Sequence, residues 1–453
     1  MSLYTRRRFI QVAGIGAAGL AAAACGATGG GSAGGTHGTQ LNKKAVSGNL
    51  EVWDVSATPD AWGVQQQTDF YTKYFPSLYP KLNFSYTMLG YTDLIQKLTV
   101  AWRGGSTPDL VRMVNAGSPQ FVGEGLTVEL SPSQFGLKAS DFWPQALQTV
   151  RKNGSTKGPL YGLPSNNEAM CLFYNKDLFQ QAGLDPSHGP ATWQDLAAYS
   201  NTIHQKTGKY GYGLVGVVNN GNTPYRFCPM MWAYGGSIFD EFSKNPTWKK
   251  IGINSKGTVE ALQLYDRMFN IDKSVQPSAL SDQESDVSTL FQQGKVAMMI
   301  DHPSAAEQVM TNAPNIHIGG DLIPAGPVRR SVVFGGWNLL INKNSKNING
   351  ALAFVDAYLQ PEWNTRLAGL GSNPGNRLGF NSSEQKARDK LLPFNDLTLK
   401  MMPYGTNVPL VTQGAQIWNY TIPNMIQSVL LKKSSAQEAA KQAADQIQQI
   451  MAA

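Results

Sequence analysis

Aromatic rings interleaved with carboxylates and amides are the groups in this chain best equipped for chemistry: its 453 residues include 10 tryptophans and 17 tyrosines. An aromatic ring is a flat apolar plate matching the C–H face of a pyranose, and the sugar's hydroxyl rim must then be met by Asp, Glu, Asn or Arg. Most such rings belong to the core, so those near the ends of predicted strands matter here. Glu168 and Asp301 could act as acid and base of a surface glycosidase if they stood roughly 5–9.5 Å apart across one glycosidic bond, a distance no sequence gives. His37, His188, His204, His302 and His317 show no ligand spacing with Cys, Asp or Glu. A metal site is therefore not expected, nor any cofactor. Cys171 and Cys228 sit in apolar runs, Met170-Cys171-Leu172-Phe173 and Phe227-Cys228-Pro229-Met230, and read as buried free thiols rather than a bridge.

The elements that must hold these groups alternate along the chain. Residues 50–55 read as a strand, 64–74 as a helix ended before Pro76, 82–88 as a strand, 91–101 as a helix and 110–114 as a third strand. Helix-separated strands imply parallel pairing with right-handed crossovers, a doubly wound α/β domain. A comparable set follows, with strands at 172–174 and 296–300 and helices at 193–207 and 259–269. Residues 337–341 form a further strand and 351–359 a helix. The last helix, 436–451, opens on a capping box at Ser435-Ala436-Gln437-Glu438. The chain is too long for one ordinary core and suits two lobes, whose ligand would collect between them at the carboxyl ends of the strands. No fixed-period repeat suggests a solenoid or propeller.

The first residues carry an address. Thr5-Arg6-Arg7-Arg8-Phe9-Ile10-Gln11 leads a weakly apolar run too short for a membrane span, so residues 1–24 are expected to be a twin-arginine export signal built on Arg6 and Arg7. Cys25, after four alanines, resembles the lipidation box of bacterial lipoproteins. Ala22 replaces the usual large aliphatic residue, which leaves ordinary signal-peptidase cleavage open. Residues 25–47 are expected to be a lipidated cysteine and a flexible Gly/Ser tether. Gly14-Ile15-Gly16-Ala17-Ala18-Gly19 and Gly30-Gly31-Ser32-Ala33-Gly34 spell dinucleotide-binding and nucleophile-elbow patterns, but no strand precedes the first, which lies in the expected export signal, and the second lies in the expected tether without strand or helix around it. The formal charge of +7 includes Arg6, Arg7 and Arg8, and the remaining cations are scattered, so nucleic acid is not an expected partner.

Three runs in order, Gly158-Pro159-Leu160-Tyr161-Gly162-Leu163-Pro164, Phe173-Tyr174-Asn175-Lys176-Asp177-Leu178-Phe179, and Pro190-Ala191-Thr192-Trp193, closely resemble the extracellular solute-binding proteins of carbohydrate ABC importers, the maltose-binding-protein family. Further matches follow at Tyr234-Gly235-Gly236, Gly294-Lys295-Val296-Ala297-Met298 and Gly335-Gly336-Trp337. The resemblance implies a two-lobed periplasmic-binding-protein fold, each lobe a doubly wound, mostly parallel sheet. Residues 48–166 and 336–371 would form the N-terminal lobe and 167–335 and 372–453 the C-terminal lobe, with hinge crossovers near Asn166, Gly335 and Gly371. It implies a monomeric receptor without a catalytic step, held on the outer face of the cell membrane by a lipid on Cys25. The receptor would close on a mono- or oligosaccharide and deliver it to the permease subunits of an ABC transporter with their ATPase. Only a ligand touching both lobes biases the closed state.

By the same resemblance Glu168 stands at a sugar-binding glutamate, Tyr225 at a stacking tyrosine and Trp418 at a stacking tryptophan. Trp53 matches an aromatic at the cleft rim, Asn115 a polar contact, and Trp337 a ring facing the ligand. Asp301 and Arg377 are further candidates for hydroxyl contacts. Ser304 and Met113 replace family tryptophans, which points away from a maltodextrin. Glu168 could instead join a lobe-bridging ion pair and Asp301 could cap a helix. The same fold could hold a glycerol phosphodiester or a polyamine; a phosphate would favour a basic cleft and a polyamine a carboxylate-rich one, and the mixed set here suits a neutral sugar better.

Overall fold

The computed structural model describes residues 40–55, 61–218 and 221–452; Arg6, Arg7, Cys25 and most of the expected tether lie outside the described residues. Where the tether was expected to continue, residues 40–47 are docked on the body. They form a short turn at Lys43–Ala45, Lys43 Nζ lies 2.7 Å from Asp356, Asn42 and Asn349 exchange two hydrogen bonds, and Val46 is buried. Leu41 and Val46 supply apolar anchors that the Gly/Ser-rich residues before them lack.

Two mixed sheets organise the lobes. In the larger, strands run in the order β11-β4-β10-β3-β1-β2, where β1 is Gly48–Val55, β2 Leu82–Leu89, β3 Leu110–Val114, β4 Leu163–Glu168, β10 Gly335–Ile341 and β11 Asn373–Pro374. Here β1 pairs in parallel with β2 and β3, while β10 is antiparallel to β3 and β4, and β11 to β4. The smaller sheet, β6-β7-β5-β8, comprises β5 Cys171–Asn175, β6 Tyr210–Tyr212, β7 Val296–Asp301 and β8 Ile318–Asp321. A short parallel ribbon joins β9, Val332–Val333, to β12, Gly405–Thr406. Every residue of β3 and β7 is buried, which is why both read as apolar runs: helices cover both faces of these sheets.

The helix Tyr91–Arg103 shows how one face is chosen. Leu94, Leu98 and Trp102, four residues apart, are buried, and the Trp102 indole donates to Pro108 O at 2.9 Å. The helix expected to stop before Pro76 continues through it: Ala61–Asp69 is followed by a π turn, Phe70–Tyr74, and by Phe75–Leu78. Pro76 falls in the first turn after the π segment, where its missing N–H costs little.

The larger sheet extends to Glu168 rather than ending at 166, and it takes in Asn373–Pro374, which the expected division placed in the other lobe. The chain crosses between sheets at Ala169 and Met170, both buried. There Ala169 N–H donates to Thr398 Oγ1 at 3.1 Å, and nearby Gly371 N–H donates to Asn395 Oδ1 at 3.2 Å. Cys171 and Cys228 are buried and unbridged, and loss of solvent pushes both thiols well up. Among the described residues no helix is long and apolar enough to cross a membrane.

Candidate binding site

A cavity of about 330 Å³ opens between the lobes. Its N-terminal wall is made where strands end: Val55 closes β1, Leu89 closes β2, Val114 closes β3 and Glu168 closes β4, with Trp337 projecting from β10. Strand carboxyl ends are where an open α/β sheet leaves a crevice. Gly221, Asn222 and Tyr225, at the start of the helix Asn222–Ala233, form the facing wall with Glu284, His302 and Ser304.

Two glycines bring the walls together. A Cβ on Gly335 would lie 2.5 Å from the Tyr225 hydroxyl and 2.6 Å from Glu168 Cγ, so bare backbone lets a group from each lobe approach the same point. Gly336 has φ +134°, and a Cβ there would sit 2.3 Å from Asn166 O; a side chain is excluded on both counts. The register of β10 against β4 then shifts between Trp337 and Asn338, where β4 carries one extra residue, Ser165, whose hydroxyl donates to Trp337 O at 2.9 Å.

Of the eight ligand candidates, Glu168, Tyr225 and Trp337 line this cavity. Asn115 lies beneath it, its N–H donating to Gly336 O at 2.9 Å and its Oδ1 accepting from Asn338 at 3.0 Å; it holds the backbone that carries Trp337. Trp418 is fully buried in the π turn Ile417–Thr421. Its indole donates to Gly221 O at 3.1 Å and its ring meets Tyr225 edge-on at 5.8 Å, so it supports the stacking surface from behind. Asp301 is also behind the wall, with Oδ2 3.1 Å from Arg226 Nη2 and Oδ1 accepting the His302 N–H at 2.7 Å. Burial pushes its carboxyl upward against the pull of Arg226. Trp53 stops short of the strand end and donates to Glu51 Oε1 at 2.7 Å. Arg377 donates to Ser140 O and covers the Trp143 ring at 5.4 Å; neither Trp53 nor Arg377 lines the cavity.

A smaller pocket of about 70 Å³ lies beside the main one and shares Val55, Glu168, Trp337 and Ser372 with it. Arg112 faces it from β3. This buried arginine donates through Nε to Asp54 Oδ1 at 2.6 Å, and its guanidinium carbon stands 4.9 Å from the Trp337 ring centroid. Asp54 also accepts from Tyr71 OH at 2.7 Å and Gln67 at 3.3 Å. The sequence did carry a signal for this site: a charge inside each of two buried strands requires a partner. Asn222, Glu284 and His302 had no such signal, because only the packing of separate loops brings them to the cavity. No cluster of His, Cys, Asp and Glu suited to a metal occurs among the described residues.

Two α/β lobes with a cleft lined from both sides define a two-lobed binding protein. Residues 61–365 match the profile of the bacterial extracellular solute-binding proteins, and the chain belongs to that family. A binding protein of Brucella abortus (strain 2308) is 30% identical over 376 residues, 82% of this chain and 86% of that protein. The mannitol-binding protein of Pseudomonas aeruginosa is 29% identical over 298 residues, 63% of this chain and 64% of its own. The GacH receptor of Streptomyces glaucescens, solved unliganded and with acarbose, superposes with a TM-score of 0.75 at 25% identity, over 89% of this chain and 98% of that one.

Proposed function

We propose that this protein is the receptor of an ABC importer that captures a neutral sugar or sugar alcohol between its lobes and passes it to the permease. The observation that carries this reading is the placement of Trp337 and Tyr225 on opposite walls of one cavity with Glu168 at its edge. Ring faces for C–H surfaces and a carboxylate for hydroxyls are the pair of features a sugar requires. Contacts from both lobes give such a ligand differential affinity for the closed state, which is what a permease can sense. The mannitol-binding relative and the acarbose-binding neighbour support the ligand class. In the same reading Cys25 carries the lipid, Arg6 and Arg7 direct export, and the receptor works as a monomer at the outer face of the membrane.

A glycerol phosphodiester suits the cleft less well. Glu168 and Glu284 line it, and Arg226 behind it is occupied by Asp301, so the wall offers an anion little net attraction. Nor is Asp301, buried against Arg226, placed to act with Glu168 as the carboxylate pair of a glycosidase. Calorimetric titration with D-mannitol, D-tagatose, maltose and acarbose, and with glycerophosphocholine and spermidine as controls, tests the reading. Saturable one-to-one heat from a neutral sugar recovered intact is the expected result; heat from a control alone, or from turnover, would overturn it.

A further inference from the structure

The small pocket beside the cleft differs chemically from the cleft itself. Arg112 is held on two sides: Asp54 fixes Nε at 2.6 Å, and Trp337 covers one face at 4.9 Å. Its partner is fixed in turn, since Asp54 accepts from the Tyr71 hydroxyl at 2.7 Å and from Val55 N–H at 2.6 Å. Among the described residues neither Nη of Arg112 meets a hydrogen-bond partner, and the side chain lines the pocket together with Glu168, Asn166 and Ser372. The result is a donor fork locked in orientation, facing a space of about 70 Å³. That space admits more than one water-sized group, at roughly 10–15 Å³ of such volume each, enough for two oxygens on neighbouring carbons.

We infer that this pocket seats one vicinal pair of neutral hydroxyls of the ligand, with the two Nη groups of Arg112 donating to the oxygens and Glu168 accepting from the hydroxyls. The inference rests on the sugar reading above and adds to it the group the protein uses to tell sugars apart. A planar guanidinium with one edge spoken for presents its other donors in a fixed fork that matches paired oxygens. A carboxylate would also fit that fork, but Asp54 already balances the Arg112 charge and Glu168 stands at the mouth, so a uronate meets net repulsion where a diol does not. A site built to hydrogen-bond a hydroxyl rejects the analogue lacking it more strongly than an apolar pocket can, because its own donors are then left unpaired.

The test is a calorimetric series on the wild-type protein and on Arg112→Lys, titrated with the neutral sugar that binds and with its deoxy analogues. For D-mannitol, whose two halves are equivalent, the analogues are the hexitols deoxygenated at C1 and C6, at C2 and C5, and at C3 and C4, one for each kind of hydroxyl. The expected result is that one analogue binds wild type at least about 30-fold more weakly than the parent. Arg112→Lys should then weaken the parent by a similar factor and that analogue by less than about threefold, the non-additivity that marks a direct contact. Parent and analogues weakened equally by Arg112→Lys would show that Arg112 acts only through Asp54 and the fold, and would overturn the inference. Should the variant fail to fold, the wild-type series decides, since equal affinity for the parent and every deoxy analogue also overturns it. Those results leave the sugar reading standing, whereas absence of heat from every neutral sugar removes that reading and the inference with it.

Discussion

Each wall of the cleft is backed by a buried arginine–aspartate pair, and the two pairs are used differently. Behind the C-terminal wall Arg226 is held at each nitrogen: Nε donates to Ile300 O at 2.8 Å and Nη1 to Asn222 O at 3.2 Å, while Nη2, without an aligned hydrogen bond, pairs by charge with Asp301 at 3.1 Å and Glu284 at 3.5 Å. It ties the end of β7 to the start of the helix bearing Tyr225, so it is a brace. Behind the N-terminal wall Arg112 has one bond to Asp54 and faces a pocket with the rest of its guanidinium. The same residue pair thus builds a wall on one side and furnishes a contact on the other, and what separates them is how many of the guanidinium's donors the protein itself consumes.

Stability should separate the pairs most sharply. Arg226→Met leaves Asp301 buried without its cation, a loss of about 3–5 kcal/mol. Arg112→Met leaves Asp54 with donors from Tyr71, Gln67 and Val55 and should cost less, about 1–3 kcal/mol. Urea midpoints at constant slope would show the order, and equal losses would erase the distinction.

Affinity gives the next contrast. Glu168→Gln keeps the shape and removes the charge at the cavity edge, so binding should weaken about 10- to 100-fold, as for hydrogen bonds to charged groups, with the melting temperature nearly unchanged. Trp418→Phe retains a ring against Tyr225 but deletes the donor to Gly221 O, for which about 1 kcal/mol of stability and a few-fold loss of affinity are expected. The smallest effect belongs to Trp53→Ala and Arg377→Ala. Their partners lie within the N-terminal lobe and away from the cavity, so affinity by the same titration should stay within about twofold.

The lobes differ as well in how far they could be read from the sequence. On the N-terminal side the wall is made of strand ends, and β1, β2 and β3 announce themselves through apolar runs bounded by turns; the strand expected at 110–114 is β3 itself. The strand end at β1 nevertheless delivers Val55 and not Trp53, because a single residue's placement depends on where pairing stops. Across the cleft, Asn222, Glu284 and His302 come from three separate segments, and no local pattern marks residues that only tertiary packing unites. Trp418 fell between these cases: its type and place were legible, but the π turn that turns it inward beneath Tyr225 was not, since a one-residue change of helical register leaves no sequence period.

A crystal structure of the protein with the sugar that binds it would decide how the two walls share the ligand. One sugar is expected between the lobes, in contact with Glu168 and Trp337 on one wall and Tyr225 on the other, with two neighbouring oxygens toward Arg112. A sugar held by one lobe alone, or lodged outside this cleft, would contradict that arrangement.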